Sequence, residues 1–301
     1  MADVLAERVR NYILDGTAQD LWRLLSISEV CAEMARAAFR RVGVQEGWNA
    51  IDCGCGPVGG LAVIAEMVGP AGRIVGVDFN QAAVQRARAV ISALELSNIE
   101  VVAGDLHDLD PAVLGGPFDL AYTRLFLVHQ PDPVRTLRRI AELLRPGGWL
   151  VAQEPLPSPP PRSHPHLEAL TGYWDLIYEV LDRAGVPSGA VENLPQSARE
   201  AGFEVAGTSG YFTTMDPAVG FELHAATLAA ARERATGLGI AAGRIDDLAR
   251  DIQAAKDDRY EWVSSVFFLD LTLRKRNVPS AGSKRQETVS SGVRGTVRAT
   301  Y

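Results

Sequence analysis

Asp52, Asp78 and Asp105 each stand in or just after a short run rich in Ile and Val. Carboxylates at the ends of strands can accept hydrogen bonds from the two hydroxyls of a ribose or from the amino group of an adenine. The first of them begins the segment Asp52-Cys53-Gly54-Cys55-Gly56-Pro57-Val58-Gly59-Gly60, in which glycines 54, 56 and 59 have the G-x-G-x-x-G spacing. Such glycines let the backbone turn tightly and approach a ligand with no side chain in the way. The same spacing also serves dinucleotide enzymes and plain turns. Asp52 separates these cases, because a dehydrogenase keeps this position apolar to admit a pyrophosphate, whereas an acid suits a ligand carrying an ammonium and a sulfonium. Pro57 points the same way, since it removes an N–H that an anion at a helix start would use.

The elements that must hold these carboxylates alternate between two periods. Ala50 to Cys53, Arg73 to Val77, Ile99 to Val102, Phe118 to Tyr122 and Trp149 to Ala152 read as strands. Between them, Leu61 to Met67, the stretch capped by Asn80 and the stretch opened by Asp132-Pro133 read as helices. Strands that alternate with helices build a doubly wound parallel sheet. We divide the chain into an N-terminal helical cap segment at 1–46, a nucleotide-binding α/β core at 47–156 and a connector with a cap helix at 157–195. The last two strands follow at 196–276 with a helical insertion at 217–256, and a Ser/Gly/Arg/Thr-rich tail at 277–301 is expected to be disordered. Ser28 is expected to cap the last N-terminal helix, and Glu261 to Leu273 reads as one long final strand.

Composition excludes several classes. The 301 residues are 47% hydrophobic and carry a formal net charge of -7, which suits a globular domain and argues against a nucleic-acid substrate. The first residues do not read as a secretory signal, and no window approaches the roughly 18 apolar residues of a membrane span. Cys31, Cys53 and Cys55 form no disulfide framework, which suggests a reducing, cytoplasmic setting, and no metal is expected at the glycine turn.

These motifs resemble those of the class I S-adenosylmethionine-dependent methyltransferases, in particular small-molecule members of the type found in quinone and natural-product biosynthesis. Asp52-Cys-Gly-Cys-Gly is similar to the family's first motif, Val77-Asp78 to its ribose acid and Gly104-Asp105 to its adenine acid. Pro117 to Tyr122 and Leu144 to Leu150 resemble the motifs at the fourth and fifth strands. The resemblance implies a Rossmann-like sheet of seven strands, the last pair antiparallel, under a mostly helical cap. It implies S-adenosylmethionine as cofactor, released as S-adenosylhomocysteine, held by Asp52, Gly54, Cys55, Gly56, Asp78, Phe79, Gly104, Asp105, Leu106 and Thr123.

Methyl transfer is an in-line displacement that depends on holding nucleophile and methyl collinear, with a base where the nucleophile carries a proton. Candidates for contact or proton transfer are Arg124, His107, His129 and Glu154. Asp119 reads as structural, and His224 as a satisfied helix residue. Tyr12, Trp22, Tyr173 and Trp174 lie in the two segments expected to cover the site, as cap packing or as the walls of a pocket for a planar acceptor. The expected reaction is methylation of an aromatic or natural-product metabolite, an indole C-methylation being one specific form. Two rivals remain: a protein that uses S-adenosylmethionine without transferring methyl, and an NAD-dependent oxidoreductase. A homodimer through apolar surface of the 217–256 insertion is a further expectation.

Overall fold

Between residues 49 and 155, short runs of Ile and Val recur at intervals set by intervening helices, and each run becomes a strand that returns in the same direction. The computed structural model describes residues 18–57, 59–255 and 259–277. Helix α1 (Ala18–Val42) leads into β1 (Asn49–Cys53), α2 (Leu61–Val68), β2 (Arg73–Asp78), α3 (Gln81–Ala93) and β3 (Ile99–Ala103). A single turn α4 (Pro111–Leu114), β4 (Phe118–Arg124), α5 (Pro133–Leu143) and β5 (Leu144–Pro155) complete the core. Then come β6 (Ser163–His164), α6 (Ala169–Arg183), α7 (Leu194–Glu200), β7 (Phe203–Tyr211) and β8 (Thr214–Met215). The chain ends in α8 (Pro217–Gly237), α9 (Ala242–Ala254), β9 (Trp262–Ser264) and β10 (Phe268–Lys275).

Seven strands form one sheet in the order β3-β2-β1-β4-β5-β10-β7. The first five are parallel, and β10 runs antiparallel to both β5 and β7. The pleat sends alternate residues to opposite layers. Ala50, Ile74, Leu120 and Tyr122 pack with Phe39 of α1 and with α2 and α3, while Ile51, Val75, Ala121 and Leu150 pack with Leu137 and Ile140 of α5. Capping follows the sequence: Asn80 accepts from the Ala82 and Ala83 N–H groups at 3.0 and 3.2 Å, and Asp132 from Arg135 N–H at 2.9 Å.

Two expectations need correction. Ser28 caps nothing: 18–42 is one continuous helix, and the Ser28 hydroxyl donates to the Gly59 carbonyl at 3.0 Å. The single long strand expected over 261–273 is two strands in two sheets, because β9 joins β6 and β8 in a separate three-stranded sheet. Serines make the break. The Ser265 hydroxyl donates to the Val266 carbonyl at 2.9 Å and accepts from Thr213 N–H at 3.0 Å, which offers the backbone an alternative to the ladder. The helical insertion packs Phe221, Leu223, Leu228, Ile245 and Ile252 inside the chain and leaves Val219 exposed. No described helix is long and apolar enough to cross a membrane.

Candidate active site

The carboxyl ends of β1, β2 and β3 carry the three aspartates into one crevice. Gly54, Gly56 and Gly59 all have positive φ, at 74°, 54° and 42°, so the loop after β1 follows a path that L side chains resist. A Cβ on Gly54 would stand 2.2 Å from the Phe126 ring, whereas one on Gly56 would meet nothing within 4 Å. The loop is therefore closed on one side by Phe126 and open over Gly56.

Asp52 is buried, and its Oδ2 accepts from Gly60 N–H at 2.7 Å. Its first task is thus to pin the glycine loop. Burial pushes the carboxyl up to about 6, against the Gly60 N–H and the nearby Arg124 guanidinium. Asp78 Oδ2 accepts from Gly56 N–H and Oδ1 from Asn80 N–H, each at 2.8 Å, so the carboxylate is held at the crevice edge beside the open glycine. Beside it, Phe79 is 81% exposed, an aromatic face open to solvent. Asp105 is exposed after β3 and accepts from His107 N–H at 2.8 Å through one oxygen. Leu106 is buried beneath it, and Gly104, at the turn, donates its N–H to the Asp78 carbonyl at 2.9 Å. Cys55 turns its thiol into the core against Gly76. Cys53 is buried as well, and no cluster of metal-ligating side chains occurs among the described residues.

Next to this cradle lies a chamber of about 330 Å³ at the carboxyl ends of β4 and β5. Its floor is Leu125, Val128, His129, Pro155 and Phe268; its walls come from α1, α6 and α8. Tyr173 and Trp174 line it, with ring centroids 5.7 Å apart. The Trp174 indole N–H donates to the Leu156 carbonyl at 2.9 Å, which fixes the ring. Trp22 does not line the chamber: its neighbours Arg23, Ile27, Val30 and Cys31 do, at the 4- and 7-residue spacings of one helix face. Tyr12 lies outside the described residues.

The catalytic candidates separate by position. His129 lines the chamber, makes no ring hydrogen bond among the described residues, and is held below the ordinary histidine range by its surroundings and then by Arg234. His107 points elsewhere: its Nε2 lies 3.2 Å from the Thr136 hydroxyl on α5. Glu154 is buried under the loop after β4 and accepts from the N–H groups of Phe126, Leu127 and Val128 at 3.0 to 3.3 Å. It positions that loop and does not reach the chamber. Burial pushes its carboxyl up to about 7, and the three N–H groups oppose this. Arg124 is committed beneath the glycine loop, where Nη2 donates to the Gly59 carbonyl at 2.8 Å and Nη1 is buried unpaired. Thr123 is sealed within β4 and is not brought to the cradle. Asp119 is structural as expected, accepting from Asn49 N–H at 2.9 Å and pairing with Arg145. His224 is satisfied, its Nε2 2.9 Å from the Ser264 carbonyl.

Sequence reading missed Arg23, Ile27, Cys31, Phe126 and Arg234. The α1 face was legible as a helical repeat once 18–42 is taken as one helix. Phe126 has one local companion signal, the positive φ of 53° at Leu125, and that appears only in coordinates.

The donor set fits S-adenosylmethionine: carboxylates at Asp78 and Asp105 for hydroxyls and amino groups, a glycine loop pinned by Asp52, an uncovered aromatic at Phe79, and open space over Gly56. A pyrophosphate would meet those carboxylates, and Arg124, below the glycine loop, is already engaged with the Gly59 carbonyl. A family model described as a methyltransferase domain matches residues 45–185. An uncharacterized transposon protein of Streptomyces fradiae is 36% identical over 159 residues, 53% of this chain and 44% of that protein. The nocamycin O-methyltransferase of Saccharothrix syringae is 33% identical over 126 residues, 42% of this chain and 44% of that enzyme. The chain thus spans under half the length of these relatives. The solved 4+2 cyclase SpnF has the same fold, with a TM-score of 0.53 at 21% identity over 81% of this chain and 80% of that one. Shared motifs, sheet order and cradle together make residues 45–185 a domain of the class I S-adenosylmethionine-dependent methyltransferase family.

Proposed function

We propose that this protein transfers a methyl group from S-adenosylmethionine to a small aromatic acceptor of natural-product type, held in the chamber beside the cradle. The observation that carries the reading is adjacency: the loop after β4 closes the glycine turn with Phe126 and floors the chamber with Val128 and His129. Bound S-adenosylmethionine supplies a methyl carried on a sulfonium, already a good leaving group. The chain's own work is then placement. Asp78 and Asp105 hold the nucleoside end, Asp52 keeps the glycine loop in shape, and Tyr173 and Trp174 orient a flat acceptor. His129, neutral near pH 7, takes the proton of a hydroxyl or amine nucleophile. Apolar walls keep water from competing for the methyl.

The test is product analysis with S-adenosylmethionine labelled at the methyl, against a panel of phenolic, indolic and quinol acceptors. S-adenosylhomocysteine released in step with a labelled acceptor supports the proposal. Tight S-adenosylhomocysteine binding with no labelled product from any acceptor would favour a second reading, a non-methylating reaction. That reading has one motive, the occurrence of this fold in a cyclase.

A further inference from the structure

The charged side chains that line the chamber are of one sign. Among the residues that line it, Arg23 and Arg234 are cations and none is a carboxylate. Arg23 comes from α1 and Arg234 from the last turn of α8, so two separate helices deliver guanidinium groups to an otherwise apolar space. Arg23 is partly neutralised, since Nη2 lies 2.7 Å from Asp20 Oδ1. Arg234 sits at the exposed rim and has no ion-pair partner among the described residues. Glu154, buried under the loop after β4, already accepts from three backbone N–H groups of that loop.

We propose that the acceptor is an aromatic acid: a flat apolar body lying against Tyr173 and Trp174, with a carboxylate that engages Arg234. The inference rests on the methyl-transfer reading for its chamber. A carboxylate there gains a charge-assisted hydrogen bond with a planar guanidinium, the strongest kind of polar contact on offer. An ammonium would leave water for a space whose lining charges are all positive, with no lining carboxylate to repay its desolvation. A position near the end of α8 also stabilises a cation through the helix dipole, so the test must separate helix capping from ligand binding.

The experiment is calorimetric titration of the full chain with 2-naphthoate, 2-naphthalenemethanol and 2-naphthylmethylamine, with and without saturating S-adenosylhomocysteine. These probes share one body and differ in charge. The expected order is acid tightest, alcohol intermediate and amine weakest, with the acid favoured about ten-fold or more over the alcohol. Arg234→Gln should remove most of that advantage while leaving the alcohol's affinity unchanged, and Arg234→Lys should restore part of it. Equal binding of acid and amine, or an acid preference untouched by Arg234→Gln, overturns the proposal. Because the preference is also read without cofactor, failure of methyl transfer would not be confused with failure of this selectivity.

Discussion

Replacing Glu154 by Gln tests whether that side chain is a structural anchor with an unusual proton affinity. A free glutamate titrates near about 4.3, whereas burial beneath the loop after β4 pushes Glu154 up to about 7. The folded state therefore holds this proton longer than the unfolded state. The sign follows: the contribution is full below the unfolded value and is lost as pH rises through the folded one. Between pH 5 and pH 8 the wild type should lose about 2 to 3 kcal/mol through this group, at about 1.4 kcal/mol per pH unit of separation. Glutamine cannot ionise and has no such loss. At pH 5 the variant should be less stable by about 1 to 2 kcal/mol, because its amide NH2 replaces one carboxyl oxygen and must face a backbone N–H donor, that of Leu127 or that of Val128. At pH 8 that deficit should vanish or reverse. Urea unfolding of both proteins at the two pH values measures the gap, and Asp52, also raised, cancels in the comparison. A gap of equal size at pH 5 and pH 8 would refute the reasoning.

Further outcomes follow from the same geometry. Gly54→Ala forces an L residue to φ 74° and a methyl against Phe126, so S-adenosylhomocysteine affinity should fall at least about ten-fold by titration, with a stability loss of about 1 to 3 kcal/mol. His129→Gln should lower kcat by about a hundred-fold or more and leave S-adenosylhomocysteine affinity intact. In the wild type, activity should rise with pH and level off below about 6.5, because the surroundings hold this imidazole under its usual range. Trp22→Ala should change acceptor KM by less than about two-fold, since Arg23 and Ile27, not Trp22, line the chamber.

What was legible in the sequence is what local chemistry dictates. Glycines 54, 56 and 59, the aspartates at strand ends, and the caps Asn80 and Asp132 act within a few residues of themselves, and the structure has them where spacing implies. Tertiary pairing decided the rest. Ser28 has the residue type of a cap, yet its hydroxyl is taken by a carbonyl 31 residues away, so the helix runs through it. The 261–273 run has unbroken strand propensity, and only contacts with Thr213 and the β7 neighbour reveal that it changes sheets. Glu154 faces the crevice end of β5 by position, as a catalytic acid would. Its partners are backbone N–H groups of a loop that no residue pattern announces.

The central claim is that the loop after β1, with Asp78 and Asp105, is a cradle for an S-adenosyl group. Calorimetric titration with S-adenosylhomocysteine and, separately, NADH, on the wild type and on Asp78→Ala, tests it most directly. The account predicts micromolar binding of S-adenosylhomocysteine alone, weakened about a hundred-fold or more in Asp78→Ala, where two charge-assisted hydrogen bonds are lost. A preference for NADH, or S-adenosylhomocysteine binding that Asp78→Ala leaves unchanged, would contradict it.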